Sequence, residues 1–406
     1  MWLFALLNFC SMKVLEKPQI GKAMKDYYNP KYPCTEDLKR KAQKRMPKFA
    51  YDYLISGCME DTSVRKNEQQ IDSVELRSQL LKPYNDCDLS VELFGHKYSA
   101  PFGIAPVGLQ GLMWPKAPEI LAKAAMEKNI PYILSTVSSS SLERIAEVSE
   151  GHAWYQVYNP SDAGIRKDLL NRVKSAGYKV LVVTVDVPTF GYRPRDIRNG
   201  LSMPPKMSLS NILQMLAKPN WLIETAIAGK PEMETLKPYM PKNMPMDQLA
   251  SFMNKTVMGP VDLEGLKHIR DFWQGPLIVK GLISEQDVLD AIKLGADGVV
   301  ISNHGGRQLD AGESPVLTTQ SLSAKYKDQI KIFMDSGIQN GTNIASALAS
   351  GAEFTFLGRT FVYGVGALGK YGGYHTINAL TMQLTQIMKQ LRCEKVADLP
   401  NYLVRN

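Results

Sequence analysis

The stretch Ala296-Asp297-Gly298-Val299-Val300-Ile301-Ser302-Asn303-His304-Gly305-Gly306-Arg307-Gln308-Leu309-Asp310 passes from an apolar run into a polar, glycine-rich turn within a few residues. Ala296 to Ile301 reads as a buried parallel strand, since a half-exposed strand would alternate apolar with polar side chains. A histidine, two glycines and an arginine therefore gather just past a strand's C-terminal end, where an α/β barrel carries its chemistry. Histidine exchanges a proton near neutral pH, arginine forks onto a carboxylate, and glycine lets the backbone approach a ligand closely. A glycine-rich turn with a capping histidine would look the same in isolation, so the other strand ends decide.

From Pro101 onward, short β-branched runs alternate with longer amphipathic stretches. The runs are Phe102–Ala105, Tyr132–Ser135, Trp154–Val157, Val180–Val185, Leu277–Val279, Gly298–Ile301, Ile330–Met334 and Phe354–Leu357. Helical patterns such as Ala117–Lys128, Leu142–Val148, Asp162–Ala176, Glu285–Leu294 and Thr342–Ala349 lie between them. Eight β-then-α units whose strands are apolar on both faces predict a (β/α)8 TIM barrel. An open doubly wound sheet fits less well, because no Gly-x-Gly-x-x-Gly opens the first crossover.

A chain of 406 residues with 44% hydrophobic content can form such a barrel as one domain with insertions. The net charge of +8 comes without a consecutive basic block. Lys39-Arg40-Lys41 and Lys44-Arg45 have helical spacing and no interleaved aromatics, so nucleic acid is not an expected partner. The positive excess suits an anionic substrate, an anionic cofactor or an acidic membrane surface. Cys10, Cys34, Cys58, Cys87 and Cys393 are scattered without a Cys-x-x-Cys pair. They read as free thiols of a reducing compartment, with no metal site, and the expected location is cytoplasmic. The apolar start Met1–Leu7 is too short to span a bilayer and has no leading basic residue, so it reads as a frayed start or weak surface anchor.

Nearly every run hands a polar, charged or glycine residue to the same rim. In order these are Pro106-Val107-Gly108, Thr136, Gln156 with Tyr158, Thr184 with Asp186, Lys280-Gly281, Ser302 with His304, Asp335-Ser336-Gly337 and Gly358-Arg359. Convergence on one rim marks a site, whereas structural residues would spread over both ends. The last two turns lead into helices, an arrangement that commonly holds a phosphate on backbone N–H groups. A phosphorylated cofactor is expected there, with Lys280 able to set positive charge against an electron-rich ring.

At this point the chain resembles the FMN-dependent α-hydroxy-acid dehydrogenases and oxidases. The resemblance covers 35–395 and rests on motifs in order. They are Met46-Pro47-Lys48-Phe49-Ala50-Tyr51-Asp52-Tyr53, Ala105-Pro106-Val107-Gly108, Gln156-Val157-Tyr158, Thr184-Val185-Asp186, Gly191-Tyr192-Arg193, Lys280-Gly281 and the Ser-Asn-His-Gly-Gly-Arg that begins at Ser302. It implies FMN as cofactor and His304 as the active-site base, oriented by Asp186. Arg193 and Arg307 would clamp a substrate carboxylate, and Tyr53 and Tyr158 would hydrogen-bond the substrate. Gln156, Thr184 and Lys280 would meet the flavin ring, with Ala105, Pro106, Val107, Gly108, Ser135 and Ser302 around it. Asp335, Gly337, Gln339, Gly358 and Arg359 would hold the ribityl phosphate end. Plainer roles compete for three of these: Asp186 as a turn cap, Tyr53 as a core residue, and Arg193 paired with Asp196 on a solvated loop. His96, His152, His268 and His375 read as structural.

The implied reaction oxidises a small L-2-hydroxy acid, L-lactate foremost, and passes electrons to quinone or another carrier. An oxidase that makes hydrogen peroxide is the alternative, and a non-redox barrel binding a phosphorylated ligand is the alternative of another class. Three positions refine the expectation. Many relatives carry arginine where this chain has Gln339, so less positive charge meets the phosphate and FMN should be held less tightly. Gly108 stands where family oxidases often have alanine and several dehydrogenases have glycine, though a monooxygenase relative also has glycine. The insertion 201–261 is rich in Met and Leu with Lys206, Lys218 and Lys230 nearby. It resembles the segment that attaches bacterial relatives to the membrane, which implies peripheral contact at the cytoplasmic face; a lid or an oligomer contact is the other reading. A homotetramer is expected by family analogy alone.

Overall fold

The computed structural model describes residues 22–201, 208–241, 244, 248–253 and 261–404. Cys10, Met1–Leu7, Met203, Lys206, Met207 and Met246 lie outside them. A two-stranded hairpin, β1 (Val91–Leu93) and β2 (His96–Tyr98), precedes eight parallel strands. These are β3 (Phe102–Ile104), β4 (Ile133–Ser135), β5 (Trp154–Val157), β6 (Leu181–Thr184), β7 (Leu277–Leu282), β8 (Gly298–Ile301), β9 (Lys331–Met334) and β10 (Phe354–Leu357). Neighbours pair in sequence order from β4 to β10, and β10 returns to pair with β3. The bridge between Ile104 and Tyr132 closes the ring beside β4. All eight expected runs are strands, each shifted by at most a few residues at its ends.

The strands are buried almost end to end because helices cover them outside and large side chains fill them inside. Trp154, Phe333, Phe354, Phe356, Val182, Ile278 and Val300 form the inner plug. The hairpin that the sequence reading did not include seals the N-terminal mouth. Its Phe94 packs on Trp154 and Phe333, and Tyr98 Oη accepts from Trp154 Nε1 at 3.0 Å. Phe94 and Gly95 both have positive φ, the two-residue turn whose twist matches paired strands. With that end plugged, the barrel interior opens to ligands at its C-terminal rim.

Short polar side chains start the outer helices by accepting free backbone N–H groups. Asp162 accepts from Ile165, Ser141 from Arg144, Asp262 from Gly265 and Asn340 from Asn343. His375 is buried, with Nδ1 accepting from Asn29 N and Nε2 meeting Tyr32 O at 2.9 Å, so it pins the N-terminal arm. His96 bonds Asn129 and His268 meets Glu264 O, and none of these histidines lines the large cavity described below. The four described cysteines are free.

Candidate active site

His304 occupies the left-handed region at φ 57°, followed by Gly305 and Gly306 at 66° and 75°. Three such residues in a row turn the chain sharply enough to aim the imidazole back over the barrel, and such strain persists only where surroundings enforce it. The surroundings are explicit. Ser302 Oγ accepts from His304 N at 3.1 Å and from Lys280 Nζ at 3.0 Å. Gly305 N donates to Ser336 Oγ, which donates to Asp335 Oδ1 at 2.8 Å, and Asp335 Oδ2 pairs with Lys280 Nζ at 3.0 Å. Asp310 ties down the far end of the loop by accepting from Glu60 N and Ser63 N.

His304 Nδ1 lies 2.9 Å from Asp186 Oδ1. An ionised carboxylate only accepts, so Nδ1 carries the hydrogen and Nε2 is left as the acceptor. Burial pushes the Asp186 carboxyl up, but His304 and Lys280 outweigh it and hold it below the usual carboxylate range. Lys280 is likewise disfavoured by burial, yet Asp335 and Asp186 raise it, so it remains a cation. Gly281, at φ 105°, leaves room for this pair, since a Cβ there would lie 2.5 Å from Asp186 Cγ. Asp186 is therefore a partner of His304 rather than a mere turn cap.

Arg307 Nη1 donates to the backbone carbonyls of Tyr53 and Ser56, and its guanidinium stacks 5.1 Å from the Tyr53 ring. Arg193 approaches from the other side with Nη2 3.3 Å from Gln308 Oε1 and Nη1 3.7 Å from Asp196 Oδ2. The two loops touch at Gly191, where a Cβ would sit 2.2 Å from Arg307 O. The Arg193–Asp196 pairing exists, but on a buried wall and not on a solvated loop: Asp196 is 5% exposed. Burial lifts the Asp196 carboxyl despite the two arginines beside it. Burial, with Arg193 and Arg359 nearby, pulls Arg307 down to about 9. Arg193 Nε is buried with no partner among the described residues. A small carboxylate entering here would meet both guanidiniums. Tyr158 is raised by burial and by Asp186, so it stays a protonated donor.

One cavity joins these groups and encloses about 1220 Å³ including its mouth. Tyr53, Tyr158, Arg193, His304 and Arg307 line it together with Ala105, Pro106, Val107, Gly108 and Lys280. Asp335, Gly337, Gln339, Gly358 and Arg359 line it as well. Asp186, Ser135, Gln156, Thr184 and Ser302 are not on its lining, and the last four are buried at the strand ends. Gln156 Nε2 and Thr184 Oγ1 are buried without a hydrogen-bond partner among the described residues, and Thr184 is the register partner of Lys280. Leaving such groups unpaired costs about 1–3 kcal/mol each, so a polar ligand is called for. These orphaned donors, a buried lysine and glycine turns at the ends of β9 and β10 fit a flavin mononucleotide.

Sequence reasoning missed several participants. Asp196, three residues after Arg193, was visible only as a surface partner. Ser336 lay in plain sight inside the Asp335–Gly337 turn. Val187 and Phe190 form an apolar wall, and Glu68 reaches the cavity from helix Thr62–Asp72 with no signal in its own neighbourhood. The insertion splits in two. Met233, Leu236 and Met253 pack on Val137, Tyr158 and Val187, three residues that line the cavity. Helices Leu209–Leu216 and Pro219–Ala228 lie apart from that cluster and expose Leu209, Leu213, Leu216, Ile223 and Ile227. Trp221 anchors the second of them, donating to Met113 O at 3.2 Å.

Gly108 has a local reason to be glycine. A Cβ there would come within 2.7 Å of Val137 Cγ2, and valine has little rotamer freedom to retreat. Gly108→Ala is expected to cost about 1–3 kcal/mol by overpacking, read as a lower melting temperature. Adding Val137→Ala should recover most of it. A single variant that melts like wild type would show that the wall yields freely.

The sequence profile described as FMN-dependent dehydrogenase matches residues 42–406. An L-lactate dehydrogenase of Vibrio parahaemolyticus serotype O3:K6 is 35% identical over 367 residues, covering 90% of this chain and 97% of that protein. An L-lactate dehydrogenase of Haemophilus influenzae strain PittEE is 36% identical over 370 residues, covering 91% and 97%. Among solved structures, the monotopic membrane protein (S)-mandelate dehydrogenase superposes with a TM-score of 0.86 at 33% identity, covering 92% of this chain and 99% of that one. A mandelate oxidase solved with benzoyl-formic acid gives 0.77 at 28% identity, covering 92% and 98%.

Proposed function

The chain belongs to the FMN-dependent dehydrogenase family, and we propose that it oxidises a small L-2-hydroxy acid, L-lactate foremost, to the 2-oxo acid. The observation that carries this reading is the Arg193–Arg307 pair sharing one cavity with His304, which Asp186 holds through Nδ1. When bound, FMN supplies the two-electron acceptor for the substrate's α-carbon. Arg193 and Arg307 bind the substrate carboxylate and fix which hydrogen points inward. Tyr158 and Tyr53 donate to the substrate's oxygens. His304 Nε2 takes up the proton that leaves the α-carbon or α-hydroxyl, and Asp186 stabilises the imidazolium that results. Lys280 keeps a positive charge beside Thr184, where negative charge on a reduced flavin would be favoured. Gln156 and Thr184 would hold the flavin ring through their unpaired Nε2 and Oγ1.

The test is anaerobic mixing of the yellow protein with L-lactate, (S)-mandelate and longer hydroxy acids, scored by the rate of flavin bleaching. Fastest bleaching by L-lactate supports the reading, and a protein that no hydroxy acid bleaches defeats it. The apolar wall of Val137, Val187 and Phe190, with the mandelate enzymes among the structural neighbours, favours (S)-mandelate as the second candidate. Oxygen consumption separates an oxidase from a dehydrogenase that hands electrons to quinone or another carrier.

Among the described residues no helix is long and apolar enough to cross a membrane. Peripheral attachment through helices Leu209–Leu216 and Pro219–Ala228 is our reading of their exposed apolar faces. Leu209 and Ile227 are 71% and 72% exposed, and together with Leu213, Leu216 and Ile223 they present large apolar side chains to solvent. Such a helix pair would bring the protein to a membrane quinone. Replacing Leu213, Leu216 and Ile227 together by Glu should move the protein from the membrane fraction to the soluble fraction with flavin retained. Unchanged membrane association would remove these helices as the anchor. A homotetramer by family analogy is checked by light scattering of the same sample.

A further inference from the structure

At the end of the cavity between the loops after β9 and β10, Arg359 is tethered to the backbone and a carboxylate stands nearby. Arg359 Nε donates to Leu54 O, and its Nη2 donates to Ser56 O and Gly305 O, so three protein carbonyls already engage it. Gln339 faces the same cavity, but its Nε2 donates to Glu68 Oε1 at 2.6 Å. Its backbone is committed too: N donates to Asn343 Oδ1, and O accepts from Thr35 Oγ1. Glu68 itself lines the cavity from helix Thr62–Asp72. A carboxylate therefore stands, held in place by an amide, at the end where a phosphate monoester carrying about −1.5 to −2 charges would come to rest.

We propose that Glu68 is a negative determinant of cofactor retention: its carboxylate, fixed by Gln339, weakens binding of the phosphorylated flavin and makes it an exchangeable cofactor. The proposal rests on the reading that FMN occupies this cavity with its phosphate between the two glycine turns. Like charges in a partly buried site repel with little screening, and Arg359 beside the Gly358 turn is held by three backbone carbonyls. Occupancy of the enzyme would then follow the free FMN concentration and would not be fixed at folding.

Glu68→Gln keeps the shape and the acceptor for Gln339 while removing the charge. Serial dilution of the purified holoprotein gives the FMN dissociation constant from the fluorescence of released flavin. The same protein exchanged into riboflavin, which lacks the phosphate, is the control. FMN should bind about tenfold more tightly to Glu68→Gln than to wild type, with riboflavin affinity unchanged. Equal FMN affinity in the two proteins overturns the proposal, as does weaker FMN binding, which would make Glu68 a support for Gln339. Equal tightening of FMN and riboflavin overturns it as well, because the effect would not be felt through the phosphate. If neither flavin binds wild type or variant, the cofactor reading falls and takes the proposal with it.

Discussion

His304→Gln should bleach with L-lactate on the order of 10²–10⁴-fold more slowly than wild type while retaining its flavin. Glutamine is close in length, and its amide nitrogen can still donate to Asp186 Oδ1, which now accepts from Nδ1 at 2.9 Å. What it cannot do is take a proton, so the comparison isolates proton uptake from packing. The anchors of the loop, Ser302 Oγ to the backbone N at 304 and Ser336 Oγ to Gly305 N, do not involve the side chain. Flavin absorbance and melting temperature should therefore stay close to wild type. Asp186→Asn should fall in the same range for a different reason: an amide facing Nδ1 can donate, which leaves the acceptor on Nδ1 and puts the hydrogen on Nε2. A His304→Gln variant that bleaches within tenfold of wild type would remove His304 from the chemistry.

The barrel was readable because its strands are apolar on both faces, which fixes their type, number and burial without any long-range information. The rim followed from it, since a parallel barrel sends every strand's C-terminal end the same way. Elements whose role depends on a partner distant in sequence were not readable. The hairpin Val91–Tyr98 has only three residues per strand, with Glu92, His96 and Lys97 among them, and acquires meaning only where Phe94 meets Trp154. Asp196 looked like a loop carboxylate because the groups that bury it, Ser56 and Arg307, lie more than a hundred residues away on either side. Glu68 sits on a polar helix, where a glutamate needs no explanation until Gln339 is seen against it. The large apolar side chains of the insertion gave a single hydrophobic signal for two destinations, a cluster on Val137, Tyr158 and Val187 and an exposed face, and only packing could divide them.

Lys280→Met is expected to be the most destabilising single change in the site. Lys280 is 3% exposed, and its Nζ is 3.0 Å from both Asp335 Oδ2 and Ser302 Oγ, with Asp186 close enough to raise it further. Removing one partner of a buried pair leaves the other charge without compensation, at about 3–5 kcal/mol. For a protein of this size the melting temperature should drop by roughly 4–6 °C. The pH dependence gives the sign. Asp186 is held below its ordinary range by His304 and Lys280 against burial, so it contributes stability above the unfolded carboxylate pKa that is lost as pH falls through its folded value. Without Lys280 one of those two cations is gone, so the gap between variant and wild type should be widest near neutral pH and narrow in acid. Lys280→Met combined with Asp335→Asn should recover part of the loss, because the orphaned carboxylate is then neutral at every pH. A single variant melting within about 2 °C of wild type at pH 7 would mean that water or a counter-ion replaces the ammonium. The lysine's place in the site would then be owed to the flavin alone.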